Sequence, residues 1–220
     1  MPFLLSEAVD ADFDRLMEIQ FAAFGQTGDS PREPFMDWIY PNADTPSGKA
    51  AARDRTLKSL RSDHTATFLK VTNTDTGDII GGAKWNVYEK KPEPKRVEVN
   101  SFEGEEREYA ELVLGVFYRR RHEHVTADGP YLFLDIMFTD PKHQRRGVGT
   151  KLLKWGVERA DEMGVEILLE ATQFGRHMYE QNGFRVTEHV VVQVPDKWAY
   201  KPTLQYFIMR RPPVEKVHLG

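Results

Sequence analysis

The chain has 220 residues, of which 40% are apolar and 29% are charged, and its formal net charge is −4. This length and balance predict one globular domain over residues 1–220, with enough apolar residues for a sizeable core. There is no cysteine, which excludes disulfides, cysteine metal ligands and a thiol nucleophile, and fits an intracellular, cytoplasmic setting. The net negative charge predicts no DNA or RNA partner.

The sequence carries no sign of a membrane segment or of a metal site. Its longest apolar runs, such as residues 190–192, are far too short to span a bilayer. The first residues contain neither a basic region nor a long apolar stretch, so no secretory signal is expected. The seven histidines lack the spacing of zinc ligands. We therefore expect no membrane partner and no bound metal.

Alternating patterns predict secondary structure through the first half of the chain. Residues 3–8 suit a strand, and an amphipathic helix follows and ends near Phe24. Further helices are predicted at 35–40, 46–60 and 109–122, and further strands at 67–72 and 79–88. Residues 25–34 have the composition of a loop. Residues 89–106, rich in Pro, Lys and Glu, are expected to form an exposed excursion.

The second half predicts a tighter succession of strands and helices. Residues 131–139 form a nearly continuous apolar run, as the centre of a buried sheet does. An amphipathic helix at 147–163 follows, and Gly164 stands where a glycine ends helices. The remaining predicted elements are a strand at 166–171, a helix at 174–182, and strands at 184–194 and 204–210. This order predicts a mixed α/β fold, in which helices flank a central, twisted, mixed sheet.

The loop between this apolar strand and its helix has an unusual charge. Residues 141–157 include no acidic residue, although acidic side chains are favoured at helix starts. The basic residues of this stretch are Lys142, Arg145, Arg146, Lys151 and Lys154. Gly147 and Gly149 allow the backbone to approach a ligand closely, so the pattern predicts a phosphate or pyrophosphate site. The alternative is a tight turn whose basic side chains are solvated.

Two common nucleotide-binding motifs do not fit this loop. The P-loop ends in Gly-Lys-Ser/Thr, whereas Gly149 is followed by Thr150 and then Lys151. The dinucleotide fingerprint requires a third glycine where Leu152 stands. The stretch from Gln144 to Gly149 instead resembles the Gln/Arg-x-x-Gly-x-Gly/Ala signature of the GNAT superfamily of N-acetyltransferases.

A second block of sequence supports this resemblance. Residues 168–172 and 175–184 are similar to the next strand and helix of the family, including the Tyr-Glu-x-x-Gly-Phe ending. The two blocks occur in the expected order and place the cofactor-binding core at about residues 131–186. The resemblance implies the GNAT (acyl-CoA N-acyltransferase) fold and acetyl-CoA as co-substrate.

The resemblance also implies which residues hold the cofactor. In this family two adjacent parallel strands splay apart, and the pantetheine arm lies in the gap like an extra strand. The matching backbone groups belong to Met137, Phe138 and Thr139. The pyrophosphate is expected at the loop and helix start formed by Gln144, Arg145, Arg146, Gly147, Val148, Gly149 and Thr150. Family members often have an asparagine after the second strand that contacts pantetheine, and this chain has Thr172 at that position.

Tyr179 matches the family's tyrosine that protonates the departing thiolate. The chemistry is reasonable in itself, because a leaving thiol with a pKa near ~8.5 benefits from an acid nearby, and a phenol with a pKa near ~10 can serve. The alternative is that Tyr179 is an ordinary core tyrosine.

A general base is harder to assign. Phe133 occupies a position where family members often carry a glutamate or histidine, and it cannot take a proton. Asp135 is the candidate base, directly or through water, and strand alternation predicts that Phe133, Asp135 and Met137 share one face of the sheet. Its alternative role is a buried partner for an arginine or an acceptor for backbone amides. Glu170 is a weaker candidate, and we expect it to be a structural ion-pair residue.

These observations predict an acetyl-CoA-dependent N-acetyltransferase whose acceptor is an amine, with a small molecule favoured over a protein amine. One alternative is a non-catalytic acyl-CoA-binding regulatory module of the same fold, and another is a different enzyme that binds a phosphate ligand, such as a kinase. The apolar strand at 190–194 suggests a homodimer.

Overall fold

Seven strands form one mixed sheet in the computed structural model, which describes residues 2–25, 32–94, 97, 99–125 and 129–214. The strands are β1 (Phe3–Glu7), β2 (Ala66–Asn73), β3 (Ile79–Tyr88), β4 (Tyr131–Thr139), β5 (Ile167–Ala171), β6 (Arg185–Val191) and β7 (Gln205–Arg211). Their order across the sheet is β1-β2-β3-β4-β5-β7-β6, and β4 and β5 run parallel while the other neighbours are antiparallel.

The helices cover both faces of this sheet. They are α1 (Phe13–Phe24), α2 (Phe35–Ile39), α3 (Pro46–Ser62), α4 (Gly104–His124), α5 (Val148–Met163) and α6 (Arg176–Gln181). Helix α5 packs on one face through Leu152 and Leu153. On the other face, α1 packs against Phe68 and Phe138, and α4 packs near Tyr206. Within the described ranges, no helix has the length and apolar character needed to cross a membrane.

The predicted elements are found in the predicted order, with one large shift at a boundary. Helix α4 begins at Gly104, five residues before the predicted start, because its first turn carries Glu105 and Glu106 rather than an apolar stripe. Its start therefore falls within the predicted excursion at 89–106, of which residues 95, 96 and 98 lie outside the described part. Residues 26–31 of the predicted loop at 25–34 also lie outside it. The predicted pairing of residues 190–194 in a dimer stays a prediction, and β6 lies at an edge of the sheet.

Strand β4 contains a β-bulge that changes which way its side chains point. Lys84 of β3 pairs with Ile136, but the next residue, Trp85, pairs with Leu134, so β4 has Asp135 as an extra residue. Before the bulge, Leu134 faces the core beneath α5; after it, Ile136 faces the core beneath α1. In a regular strand these two residues would share a face.

The bulge makes one prediction wrong. Phe133 packs in a cluster with Tyr131 and Val125, whereas Met137 packs against the core beneath α5, so the two do not share a face.

The pairing of β4 with its other neighbour, β5, is short. The parallel pairing of β4 with β5 covers residues 132–134 alone, although β4 continues to Thr139 and β5 continues to Ala171. The two strands therefore diverge beyond Leu134 and leave a gap.

The contact of α5 with the sheet depends on a glycine. A Cβ atom at Gly156 would overlap the ring of Trp85, which is fully buried in β3. We predict that Gly156→Ala destabilises the fold by about 1–3 kcal/mol, since well-packed cores respond to added methyl groups at this scale. The measurement is the free energy of unfolding in urea.

Gly115→Ala is the matched control. Gly115 lies inside α4, and a Cβ atom there would meet no atom within 4 Å. This variant should gain about 0.5–1 kcal/mol of stability, because alanine is the better residue in a helix interior. An unchanged or increased stability of Gly156→Ala would show that the Trp85 contact does not set the position of α5.

Candidate functional site

A cavity of about 1120 Å³ runs from the loop before α5, past the gap between β4 and β5, to aromatic side chains of α2 and α4. The predicted site residues that line it are Asp135, Met137, Phe138, Thr139, Gln144, Arg145, Gly147, Val148, Gly149, Thr150, Thr172 and Tyr179. Arg146 is exposed and does not line it. The fold thus brings the two sequence blocks, and the gap between them, to one cavity.

The loop before α5 turns sharply because two of its residues have a left-handed backbone conformation. Arg145 has a φ of 59° and Gly147 a φ of 88°. The first hydrogen bond of the helix joins the Lys151 amide to the Gly147 carbonyl, and no side chain caps the helix. The amides of Val148, Gly149 and Thr150 therefore have no partner within the helix, as is usual for a first turn, and are available to an anion.

The charges around this helix start are not neutralised by nearby acids. In the described part of the chain, Lys142, Arg145, Arg146 and Lys151 form no ion pair with a carboxylate. Lys154, one turn later, does pair with Glu158 at 3.2 Å. The first turn contains no acidic residue that would complement the helix dipole. Positive charge is therefore concentrated where the free amides lie.

Neighbouring elements hold the loop in place. The Asp140 carboxylate accepts a hydrogen bond from the Lys142 amide at 3.0 Å and pairs with Arg15 of α1 at 2.6 Å. On the other side, Gly149 lies against α6, where a Cβ atom would be 3.2 Å from the Met178 sulfur. The loop is thus positioned by both α1 and α6.

Tyr179 projects from α6 into the cavity. Its side chain is 8% exposed, and its ring packs edge-on against Phe184 with centroids 5.7 Å apart. Gly175 permits this position, because a Cβ atom there would already be 3.2 Å from the Tyr179 ring. The hydroxyl makes no hydrogen bond to any residue in the described ranges. Burial raises the pKa of Tyr179, so the phenol keeps its proton at neutral pH and can donate it.

Asp135 lies at the bulge, on the wall of the cavity, between two cations. Its carboxylate is 3.0 Å from Lys84 Nζ and 3.6 Å from Arg121 of α4. These contacts match the alternative role of Asp135 as an arginine partner.

Glu170 forms the structural ion pair that the sequence predicted. Arg121 donates to both of its oxygens, at 3.0 and 2.5 Å. The Arg121 guanidinium also lies over the ring of Phe133, 4.1 Å from its centroid. Burial raises the pKa of Glu170, and Arg121 opposes that shift. This buried bidentate pair joins α4 to the end of β5.

Sequence reasoning missed one carboxylate in the cavity. Glu33 lies just before α2 and lines the same cavity as Tyr179. Burial raises the pKa of its carboxyl, and a hydrogen bond with Thr172 opposes the shift. Glu33 forms no ion pair with any residue that the structure describes. It lies in a predicted loop without a motif, so no local pattern could have identified it.

The far end of the cavity is aromatic. Trp38 of α2, Phe117 and Tyr118 of α4 and Tyr206 of β7 line it. In the described residues, no group of three His, Cys, Asp or Glu side chains is arranged to hold a metal ion. This end therefore suits an organic molecule with an apolar body.

Comparison with known families identifies the segment that contains these residues. Residues 105–186 match the model of the acetyltransferase (GNAT) domain. This segment includes the basic loop, the bulge and Tyr179. No curated protein sequence matches the chain.

Several solved structures share this fold, and three of them are acetyltransferases. A histone acetyltransferase HPA2 and related acetyltransferase from Corynebacterium glutamicum has a TM-score of 0.63 and 19% identity, with 99% of each chain covered. A mosquito arylalkylamine N-acetyltransferase like 5b has a TM-score of 0.64 and 12% identity, covering 96% of this chain and 100% of its own. A phosphinothricin acetyltransferase from Sinorhizobium meliloti, in complex with AcCoA, has a TM-score of 0.55 and 15% identity, covering 100% of this chain and 93% of its own.

At these identities the likeness of the structures concerns the fold. The mixed sheet flanked by helices confirms the predicted fold class. Together with the match over residues 105–186, it confirms the resemblance to the GNAT superfamily.

The helix start makes a direct prediction about anions. Inorganic pyrophosphate should bind to the protein, and Gly147→Glu should weaken that binding by roughly 10-fold or more, since like charges about 4 Å apart repel by on the order of 1–4 kcal/mol. The measurement is calorimetric titration at low ionic strength, where such interactions are least screened.

Gly77→Glu is the matched control for this titration. Gly77 has a φ of 78°, close to the 88° of Gly147, and both positions are open to solvent with no atom within 4 Å of an added Cβ. Backbone strain and added charge are therefore the same in the two variants. Equal affinity for pyrophosphate in both would show that the start of α5 is not the anion site.

Proposed function

We propose that this chain, in which residues 105–186 match the acetyltransferase (GNAT) domain, transfers the acetyl group of acetyl-CoA to a primary amine of a small molecule. The observation that carries this proposal is the gap between β4 and β5, which opens onto both the basic helix start and the Tyr179 hydroxyl. The acetyl group passes directly to the amine, because a chain without cysteine cannot form a thioester with its own thiol.

The two ends of the cofactor bind to different parts of the site. The pyrophosphate is held by the free amides of Val148, Gly149 and Thr150 and by the nearby basic side chains. The pantetheine arm lies in the gap and uses the β4 backbone at residues 137–139, which β5 does not cover. A backbone N–H of β4 near Phe138 polarises the thioester carbonyl and stabilises the negative charge that develops on its oxygen.

Tyr179 supplies the proton that the leaving group needs. When the neutral amine attacks the carbonyl carbon, the carbon–sulfur bond breaks and its electron pair goes to sulfur. A thiol has an ordinary pKa near ~8.5, so a protonated phenol beside the sulfur can complete its release. The hydroxyl of Tyr179, without another hydrogen-bond partner in the described residues, is available for this role.

Two carboxylates are candidates for the base that takes the proton from the amine. Asp135 would act directly or through a water molecule, although its carboxylate is already paired with Lys84 and Arg121. Glu33 is the second candidate. Its raised pKa and its lack of an ion pair within the described ranges make it the better acceptor of a proton.

Replacing Tyr179 tests the acid role. Tyr179→Phe should lower kcat by roughly 10²- to 10⁴-fold and leave the affinity for acetyl-CoA nearly unchanged, because only the proton donor is lost. Release of the CoA thiol reports kcat, and calorimetry reports the affinity. Tyr200→Phe, at an exposed tyrosine, is the control and should be fully active. Full activity of Tyr179→Phe would show that Tyr179 is not the general acid. Binding of acetyl-CoA without turnover of any amine would instead favour a regulatory module.

The pH profile separates the two candidate bases. A carboxylate accepts a proton only when ionised, so kcat/KM is present above its pKa and falls as pH drops through it. The raised pKa of Glu33 places this fall above the ordinary glutamate value of ~4.3. Glu33→Gln should abolish this fall of kcat/KM at acidic pH and lower kcat/KM by roughly 10²- to 10⁴-fold. Asp135→Asn should retain the fall. The reverse pattern would assign the base to Asp135.

A further inference from the structure

Strands β4 and β5 separate at a pair of acidic residues. Their parallel pairing ends with Leu134 of β4 beside Leu169 of β5. The next residue of each strand is acidic, Asp135 in β4 and Glu170 in β5. If the pairing continued, these two side chains would stand on adjacent strands about 4.8 Å apart, where like charges destabilise a sheet. The gap therefore begins where further pairing would bring two carboxylates together.

One guanidinium, that of Arg121 in α4, binds both carboxylates. Its Nε and Nη2 atoms donate to the two oxygens of Glu170 at 3.0 and 2.5 Å, and its Nη1 atom is 3.6 Å from an oxygen of Asp135. The same group lies over the ring of Phe133 of β4, 4.1 Å from the ring centroid. Arg121 thus bridges the two strands at the first position where they no longer pair with each other.

Glu170 depends on this bridge more than Asp135 does. Asp135 also pairs with Lys84 at 3.0 Å, whereas Arg121 is the one cation in the described ranges that pairs with Glu170, whose side chain is 6% exposed. Burial raises the pKa of Glu170, Arg121 opposes that shift, and the nearby Asp135 carboxylate adds to it. A buried carboxylate without a cation is unfavourable, so the bridge stabilises the charged residues at the point of separation.

The bridge forms the wall of the cavity at the beginning of the gap. Arg121, Asp135 and Glu170 line the cavity together with residues 136–139 of β4. In the described part of the chain, the ion pairs and ring contacts of Arg121 involve α4, β4 and β5, and none reaches α5. Helix α5 packs on the face of the sheet opposite to α4. A change at Arg121 should therefore alter the gap and leave the anion site at the start of α5 intact.

We propose that Arg121 is a positioning residue, which holds β4 and β5 apart at Asp135 and Glu170 and so keeps the gap open before a cofactor enters. It acts through the two carboxylates. A preformed gap raises affinity, because binding does not first have to separate the strands. This inference rests on the proposed function for the identity of the ligand, acetyl-CoA, and adds the residue that prepares its site.

The test measures two affinities by calorimetry in the double variant Arg121→Met/Glu170→Gln. This variant removes the bridge and leaves no unpaired carboxylate at position 170. Acetyl-CoA should bind roughly 10-fold or more weakly than to the wild type, as expected if about a tenth of the molecules then have an open gap. The affinity for inorganic pyrophosphate, which occupies the start of α5 alone, should change by less than about twofold, as for independent sites.

Arg120→Met/Glu188→Gln is the matched control. Arg120 is the preceding residue of α4 and lies 3.4 Å from Glu188 of β6, and neither residue lines the cavity. This variant also removes an ion pair between α4 and the sheet. Its affinity for acetyl-CoA should equal that of the wild type.

Arg121→Lys is a second test, in which Glu170 keeps a cation. A lysine ammonium can pair with one carboxylate, but it lacks the planar fork with which Arg121 serves both. The affinity of this variant for acetyl-CoA should lie between those of the wild type and the double variant. If the double variant does not fold, an affinity of Arg121→Lys equal to that of the wild type would overturn the inference.

The remaining outcomes separate this inference from the function on which it rests. Equal affinity of the folded double variant and the wild type for acetyl-CoA would overturn the role of Arg121 and leave the acetyltransferase standing. A parallel loss of affinity for acetyl-CoA and pyrophosphate, with a lower melting temperature, would also overturn it, because the pair would then support the fold in general. Failure of the wild-type protein to bind acetyl-CoA would overturn the proposed function, and this inference with it.

Discussion

Strand β4 takes one extra residue, Asp135, between its pairings with Lys84 and Trp85 of β3, and this bulge determines how the site is built. Before it, β4 pairs in parallel with β5; beyond it, the two strands separate and expose the β4 backbone to the cavity. The same bulge turns Ile136 towards the core beneath α1. A local irregularity therefore accompanies both the gap between β4 and β5 and the change of face that closes the core around it.

The start of α5, where we propose that the cofactor binds, was largely predictable, because its signals are local in sequence. The basic loop, Gly147 and Gly149 lie within one short stretch, between a strand and a helix that apolar patterns identify without ambiguity. Tyr179 could be located for the same reason, as part of a second contiguous block. The structure places these residues on one cavity and shows the reason for each glycine, a left-handed turn at Gly147 and a close contact with Met178 at Gly149.

The aromatic end of the cavity and Glu33 were not predictable, because these residues are distant in sequence and carry no motif. Glu33, Trp38, Phe117 and Tyr206 each lie in an ordinary loop, helix or strand, and they meet only through tertiary packing. The bulge was equally hidden. The apolar run around Asp135 gives no sign of a bulge, so the prediction that Phe133 and Met137 share a face was reasonable and wrong. Hydrogen-bond pairing with β3 decides the bulge, and a single sequence does not contain that pairing.

Amide hydrogen exchange with and without acetyl-CoA tests the central role of the bulge most directly. Residues 132–134 of β4 already pair with β5 and should show no change in exchange. Residues 136–139 lie beyond the bulge and pair with β3, and those of their amides that face the gap rather than β3 should exchange more slowly once the pantetheine arm occupies it. Protection confined to 136–139 is the predicted result. Acetyl-CoA that binds without slowing exchange in this segment would contradict the account, because the cofactor would then lie outside the gap that the bulge creates.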